Sequence, residues 1–157
     1  MLDLLDSPKA NASDLLAALG APAMAQRSRG YAGPERRGAA SLQHRRMAQM
    51  LDTLDYGVIG FGLDAEAVVQ RYNRTESVGS GLALAEVMGR PLFGEVAQCM
   101  NNYLVAQRFE DALADGTVLD AQLPYVFTLR MRPAPVVLRL LAAPGRALRF
   151  VLVQRRP

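Results

Sequence analysis

The sequence predicts an α+β domain built on a five-stranded antiparallel sheet, preceded by a helical extension. Three observations carry that reading. Two short apolar strands, joined by a tight turn, open the region after Asp55. Several short helical segments and one longer helix follow them. Three alternating strands, separated by turns bearing proline or glycine, close the chain. The short helices and the longer one are expected together on one face of the sheet.

The chain has 157 residues and is 50% hydrophobic, which gives room for one domain of ordinary size and an extension. Residues 1–40 read as a flexible extension. Within it, Ser13 caps a short helix whose apolar side is Leu15, Leu16 and Leu19 and which Gly20 ends. Residues 22–38 combine Gly30, Gly33 and Pro34 with arginines and read as a linker. Between Arg27 and Arg46 six arginines stand against one acid, Glu35. A solvated linker accounts for such a run, and an acidic partner or nucleic acid would use it. The net charge of +3 is too small to imply nucleic acid by itself. Residues 41–54 form a flanking helix, capped by Ser41, with Leu42, Met47, Met50, Leu51 and Leu54 along one side. His44, Arg45, Arg46 and Asp52 mark its other side. An apolar face of this kind packs on the domain that follows or pairs with a second copy, so a homodimer or a signalling partner is expected.

Residues 57–61 (GVIGF) read as the first strand of the domain, which spans 55–157. Leu63 to Glu66 make the turn, and residues 67–72 return as the second strand. Residues 73–82 lose strand character, and Gly79 and Gly81 break any long helix. Residues 84–88 supply one short helical turn. Residues 104–114 make the longest helix of the domain, stopped by Asp115-Gly116. The third strand is read over 122–131 (QLPYVFTLRM). Pro133-Ala134-Pro135 then predicts a turn, since proline fixes φ and donates no hydrogen bond. The last two strands are read over 136–142 and 148–155, with Pro144-Gly145 between them.

Composition excludes several chemistries. One cysteine rules out an internal disulfide and removes an argument for secretion. The acidic start, Met1-Leu2-Asp3, is not a signal peptide, and no run approaches the ~18 apolar residues that cross a bilayer. A cytoplasmic protein is the expectation. His44 is the sole histidine and precedes the domain, so neither a haem ligand in the core nor a Ser-His-Asp set is available. There is no Cys/His metal cluster and no phosphate-binding glycine motif. An enzyme is not expected.

The chemistry that remains centres on residues 89–109 (GRPLFGEVAQCMNNYLVAQRF), which hold Cys99. The cysteine falls on a tight segment just before a helix, among apolar side chains. A lone cysteine is commonly a small buried hydrophobe, but its thiolate is also the strongest side-chain nucleophile and an attachment point for a covalent group.

The order of elements resembles the PAS domain, a sensory fold that encloses a small pocket. The residues of about 54–155 narrow this, because they resemble photoactive yellow protein. In that family a tyrosine and a glutamic acid, four residues apart just after the second strand, hydrogen-bond a chromophore's phenolate. Arg71-Tyr72-Asn73-Arg74-Thr75-Glu76 keeps that spacing. The family's cysteine follows Val-Ala-Pro in a segment that begins Gly-Lys-Asn-Phe-Phe. Here the segment runs Gly89-Arg90-Pro91-Leu92-Phe93-Gly94-Glu95-Val96-Ala97-Gln98-Cys99. Phe127 and Met131 match an aromatic residue and a methionine of the family's third strand. Ser80 stands where the family has a threonine bonded to the tyrosine, and keeps its hydroxyl. The family's proline before the cysteine is Gln98, and its arginine that covers the chromophore is Leu82.

The resemblance implies a blue-light photoreceptor with p-coumaric acid held on Cys99 as a thioester. It further implies a pocket of Tyr72, Glu76, Ser80, Phe127 and Met131, with Tyr72 and a protonated Glu76 donating to the phenolate. Burial would favour the protonated Glu76 by raising its pKa. Light would then move a proton and loosen the amino-terminal segment. The alternative is a chromophore-free PAS module that acts through dimerisation or partner binding, including in transcriptional regulation.

Overall fold

The computed structural model describes residues 15–17, 19, 45, 49–128 and 133–155. The arginine-rich linker, the caps at Ser13 and Ser41, and Met131 lie outside them. The domain is built from β1 (Gly57–Phe61), β2 (Val69–Tyr72), α1 (Arg74–Ser80) and α2 (Leu84–Val87). A π-helical turn (Leu92–Val96), a 3-10 turn (Gln98–Met100), α3 (Ala106–Asp115), β3 (Leu119–Phe127), β4 (Ala134–Ala142) and β5 (Arg149–Arg155) complete it. The five strands form one antiparallel sheet in the order β2-β1-β5-β4-β3.

The alternation read from the sequence sets two cores, one on each face. The inner face carries Ile59, Phe61, Val136, Leu138, Leu140, Val151 and Val153, and the short helices and α3 cover it with Val87, Leu92, Phe93, Met100, Val105 and Phe109. Phe61 stands edge-on to Phe93 and Phe109, with centroids 5.4 and 4.9 Å away. The outer face carries Val58, Leu141, Phe150 and Leu152, and Leu15, Leu16, Leu19, Leu51 and Tyr56 close over it. Of the two roles open to the apolar side of 41–54, its described end takes the first: Leu51 is buried against the sheet, and Met50 and Leu54 pack partly onto it.

Several boundaries differ from the sequence reading: β2 begins at Val69 and not at 67, α3 spans Ala106–Asp115 and not 104–114, and β5 begins at Arg149 and not at 148. β3 starts at Leu119, because Leu119, Ala121 and Leu123 pair with Ala142, Leu140 and Leu138 and Asp120 reaches Arg139 across the ladder at 2.9 Å. It ends at Phe127. β4 starts at Ala134, inside the predicted proline turn: Pro135 pairs with Val126 and lies beyond the last residue of β4 that β5 faces. Pro124 is tolerated because β3 is the sheet's edge. Residues 73–82, read as irregular, hold α1, which Asn73 caps and Gly81 ends at φ 77°.

β1 and β2 carry a bulge. Ile59 faces Tyr72 and Gly60 faces Arg71, but Phe61 faces Val69, so Gln70 is an extra residue on β2. The extra residue places both Val69 and Tyr72 on the inner face, three positions apart.

Candidate functional site

Cys99 sits in the 3-10 turn at the foot of the inner core, half-buried and packed against the cluster that contains Tyr72, Phe93 and Phe127. Its backbone is clamped. The Tyr125 hydroxyl donates to the Cys99 carbonyl at 2.5 Å, and the Asn102 side-chain amide donates to the same carbonyl at 3.1 Å. Asn102 also donates to the Tyr125 oxygen at 2.6 Å and accepts from the backbone N–H groups of Leu104 and Val105. One asparagine therefore fixes the cysteine turn and starts the segment that leads into α3.

Tyr72, at the end of β2, is buried. Its hydroxyl lies 2.7 Å from Ser80 Oγ, and Ser80 Oγ accepts the Leu82 N–H at 3.1 Å. Burial pushes the Tyr72 phenol up to about 12, the Ser80 hydrogen bond offsets part of that, and the negative charge of Glu76 adds to it. Tyr72 is thus a neutral phenol at any physiological pH, with its O–H intact. Leu82 is partly buried on the same core cluster.

Glu76 lies on α1, only 2% exposed. Its carboxylate is held by Arg155 of β5, Nη1 to Oε1 at 2.6 Å and Nη2 to Oε2 at 3.0 Å. Burial pushes the Glu76 carboxyl above the ordinary carboxylate range, and the Arg155 hydrogen bonds and charge lower it by less. Arg155 extends over the Phe127 ring, its Cζ 5.7 Å from the centroid. Phe127 is buried and packs edge-on to Tyr125 at 6.1 Å.

The structure therefore brings Cys99, Tyr72, Ser80, Glu76 and Phe127 to one side of the sheet, around one core. Met131 lies outside the described residues. Arg155, Asn73, Asn102 and Tyr125 were not singled out as site residues. Arg155 had a signal: it shares an alternation face with Val151 and Val153, which makes it an arginine on the apolar side of a strand. Asn102 had a weaker one, an Asx residue just before a helix.

p-Coumaric acid would need a thiol at one end and a hydrogen-bond donor at the other. Attachment needs a thiol at the rim of an apolar core, and Cys99 is one. A buried phenolic oxygen needs a neutral hydrogen-bond donor, and Tyr72 is one. The residues fit the group at both ends.

No protein-family model matches the chain. It is similar to the photoactive yellow protein of Rhodothalassium salexigens, 31% identical over 86 residues, which are 55% of this chain and 66% of the relative. It is similar also to that of Halochromatium salexigens, 34% identical over 88 residues, 56% of this chain and 68% of the relative. The matched region thus spans about two thirds of these relatives. Among solved structures, the photoactive yellow protein domain of a sensor histidine kinase from Rhodospirillum centenum superposes with a TM-score of 0.61 at 36% identity, over 69% of this chain and 92% of that one. A PAS domain from Colwellia psychrerythraea superposes at 0.55 with 8% identity, over 74% and 97%, a likeness of fold alone. No helix among the described residues is long and apolar enough to cross a membrane.

Proposed function

Because the chain belongs to the photoactive yellow protein family, a family of sensory photoreceptors with the PAS fold, we propose that it is a blue-light receptor whose Cys99 carries p-coumaric acid as a thioester. The observation that carries this reading is the grouping of a half-buried thiol, a tyrosine that keeps its proton, and an aromatic wall around one core. When bound, the group supplies a double bond that isomerises in blue light. The chain's own residues do the rest. Cys99 gives its sulfur to the thioester, and Tyr125 and Asn102 hold the turn that presents it. Tyr72 donates its O–H to the phenolic oxygen, with Ser80 as the resting partner that orients it. Glu76 stands beside Tyr72 at that end. Phe127 and Leu82 keep water out.

The output runs through α1. The Arg74 N–H donates to Asp52 Oδ1 at 2.8 Å and the Thr75 hydroxyl to the Leu54 carbonyl at 2.6 Å, so any shift of Glu76 pulls on the end of the flanking segment. That segment covers the sheet's outer face, where a second copy or a signalling protein would sense the change.

The test is to load the purified chain with activated p-coumaric acid and record intact mass and absorption. One adduct, a visible band and reversible bleaching in blue light are expected, and Cys99→Ala abolishes all three. No adduct under conditions that load a known family member sinks the photoreceptor reading. It would favour the second reading, a chromophore-free PAS module acting through dimerisation or partner binding, for which Glu76 already engaged by Arg155 is the supporting observation.

A further inference from the structure

Among the described residues, the charge that acts on Glu76 is the guanidinium of Arg155. The contact is two-pronged, with each carboxyl oxygen accepting one N–H, at 2.6 and 3.0 Å. A protonated carboxyl could not do this well, since its hydroxyl oxygen would present its own hydrogen to a guanidinium N–H. The geometry is that of a carboxylate, which Arg155 holds against the burial that favours the neutral carboxyl.

The backbone is shaped around the pair. A Cβ at Gly57 of β1 would run into the Glu76 carboxylate. A Cβ at Gly79 of α1 would lie 2.5 Å from Arg155 Nη1. Both positions are glycine. Arg155 is further held against the face of Phe127. Gly57 brings no charge, Tyr72 on β2 is a neutral phenol, and β5 brings Arg155 itself.

We propose that Arg155 is a positioning residue of the pocket: its fork keeps Glu76 ionised at neutral pH and turned to β5, which leaves Tyr72 as the O–H donor at the phenol end. This rests on the proposed p-coumaric acid pocket for its functional consequence, while the ion pair stands without it. It departs from what the family resemblance implies, a protonated Glu76 that donates.

The experiment is infrared difference spectroscopy on the full chain with no ligand added, at neutral pH. Wild type minus Glu76→Gln is expected to show a lost carboxylate band and no carboxylic-acid C=O band. Arg155→Gln is expected to create that acid band, since a buried carboxylate without its cation takes up a proton from solvent, and the double variant Arg155→Gln with Glu76→Gln is expected to lack it. An acid band in wild type that Glu76→Gln removes would overturn the proposal, and so would a folded Arg155→Gln chain with no new acid band. If Arg155→Gln does not fold, the wild-type comparison decides alone. In protein loaded with p-coumaric acid, Arg155→Gln is expected to move the visible band to shorter wavelength, as Glu76 becomes a second donor; an unmoved band counts against the positioning role. Adduct mass, measured separately, decides whether the pocket takes the group at all.

Discussion

Asn73 holds Leu51. Its side-chain amide donates to the Leu51 carbonyl at 2.9 Å and to the Tyr56 carbonyl at 2.9 Å, and its oxygen accepts the N–H groups of Val58 and Glu76. A fully buried amide thus spends all its hydrogen-bonding capacity joining the flanking segment, β1 and the first turn of α1. Asn73→Ala strands several buried backbone groups and removes a helix cap, at a cost of about 3 kcal/mol or more. Chemical denaturation measures the loss, and hydrogen exchange should report faster opening of α1. A stability within 1 kcal/mol of wild type, on the ~1–3 kcal/mol scale of one stranded group, would show that this amide is not the junction.

Gly79 and Arg155 should be coupled. Replacing an exposed helical glycine by alanine stabilises by about 1 kcal/mol in general. Here the added Cβ meets the guanidinium, so Gly79→Ala is expected to destabilise. In an Arg155→Ala background the same change should recover the ordinary gain. A double-mutant cycle that shows no coupling would mean the helix yields freely at Gly79.

Tyr72 should titrate late. Its ionisation is pushed up to about 12, above the ordinary phenol value, so the folded state binds that proton more tightly than the unfolded chain. The stability it contributes is whole below the ordinary phenol pKa and is lost as pH rises through about 12. Alkaline absorbance titration is expected to show one phenol fewer in the late phase for Tyr72→Phe. Glu76 has the same sign. Its raised carboxyl gives stability that is present in acid and lost as pH rises through its folded value, so the stability of Glu76→Gln relative to wild type should drop as pH is lowered through that value.

A chain beginning at Asp55 should expose the outer core. It lacks Leu15, Leu16, Leu19 and Leu51, which cover Val58, Leu141, Phe150 and Leu152. An apolar patch of that kind drives association. Light scattering is expected to give a larger mass than for the full chain, along with a lower melting temperature. A monomer of unchanged stability would assign that face little role in either.

Much of this was legible from alternation. β1 was bounded correctly as the apolar run GVIGF ahead of the Leu63 to Glu66 turn, and β5 to within one residue because Arg149, Val151, Val153 and Arg155 alternate with Phe150, Leu152 and Gln154. The cysteine's place before the longest helix was likewise readable from Gly89, Gly94 and the apolar run between them. What escaped the sequence was long-range. Asp120 lies in β3 opposite Leu141 and is held by Arg139 from two residues along β4, and Pro135 joins β4 beyond the last residue that β5 is seen to face. Glu76 read as a donor because its spacing to Tyr72 was visible, whereas its bond to Arg155 spans 79 residues and has no local trace. Asn73 was quoted between two site residues and passed over, since a cap is local but its reach to Leu51 is not.

The bulge at Gln70 gives the hairpin two places that absorb a change of length. Residues 63–66 form a turn on the surface, so an insertion there leaves the ladder as it is. Deleting Gln70 would restore a regular ladder from Ile59 to Phe61 and set Val69 and Tyr72 two positions apart, still on one side of the strand. The tyrosine keeps its interior place with or without the extra residue, so a chain shortened at Gln70 is expected to bury Tyr72 as the present one does.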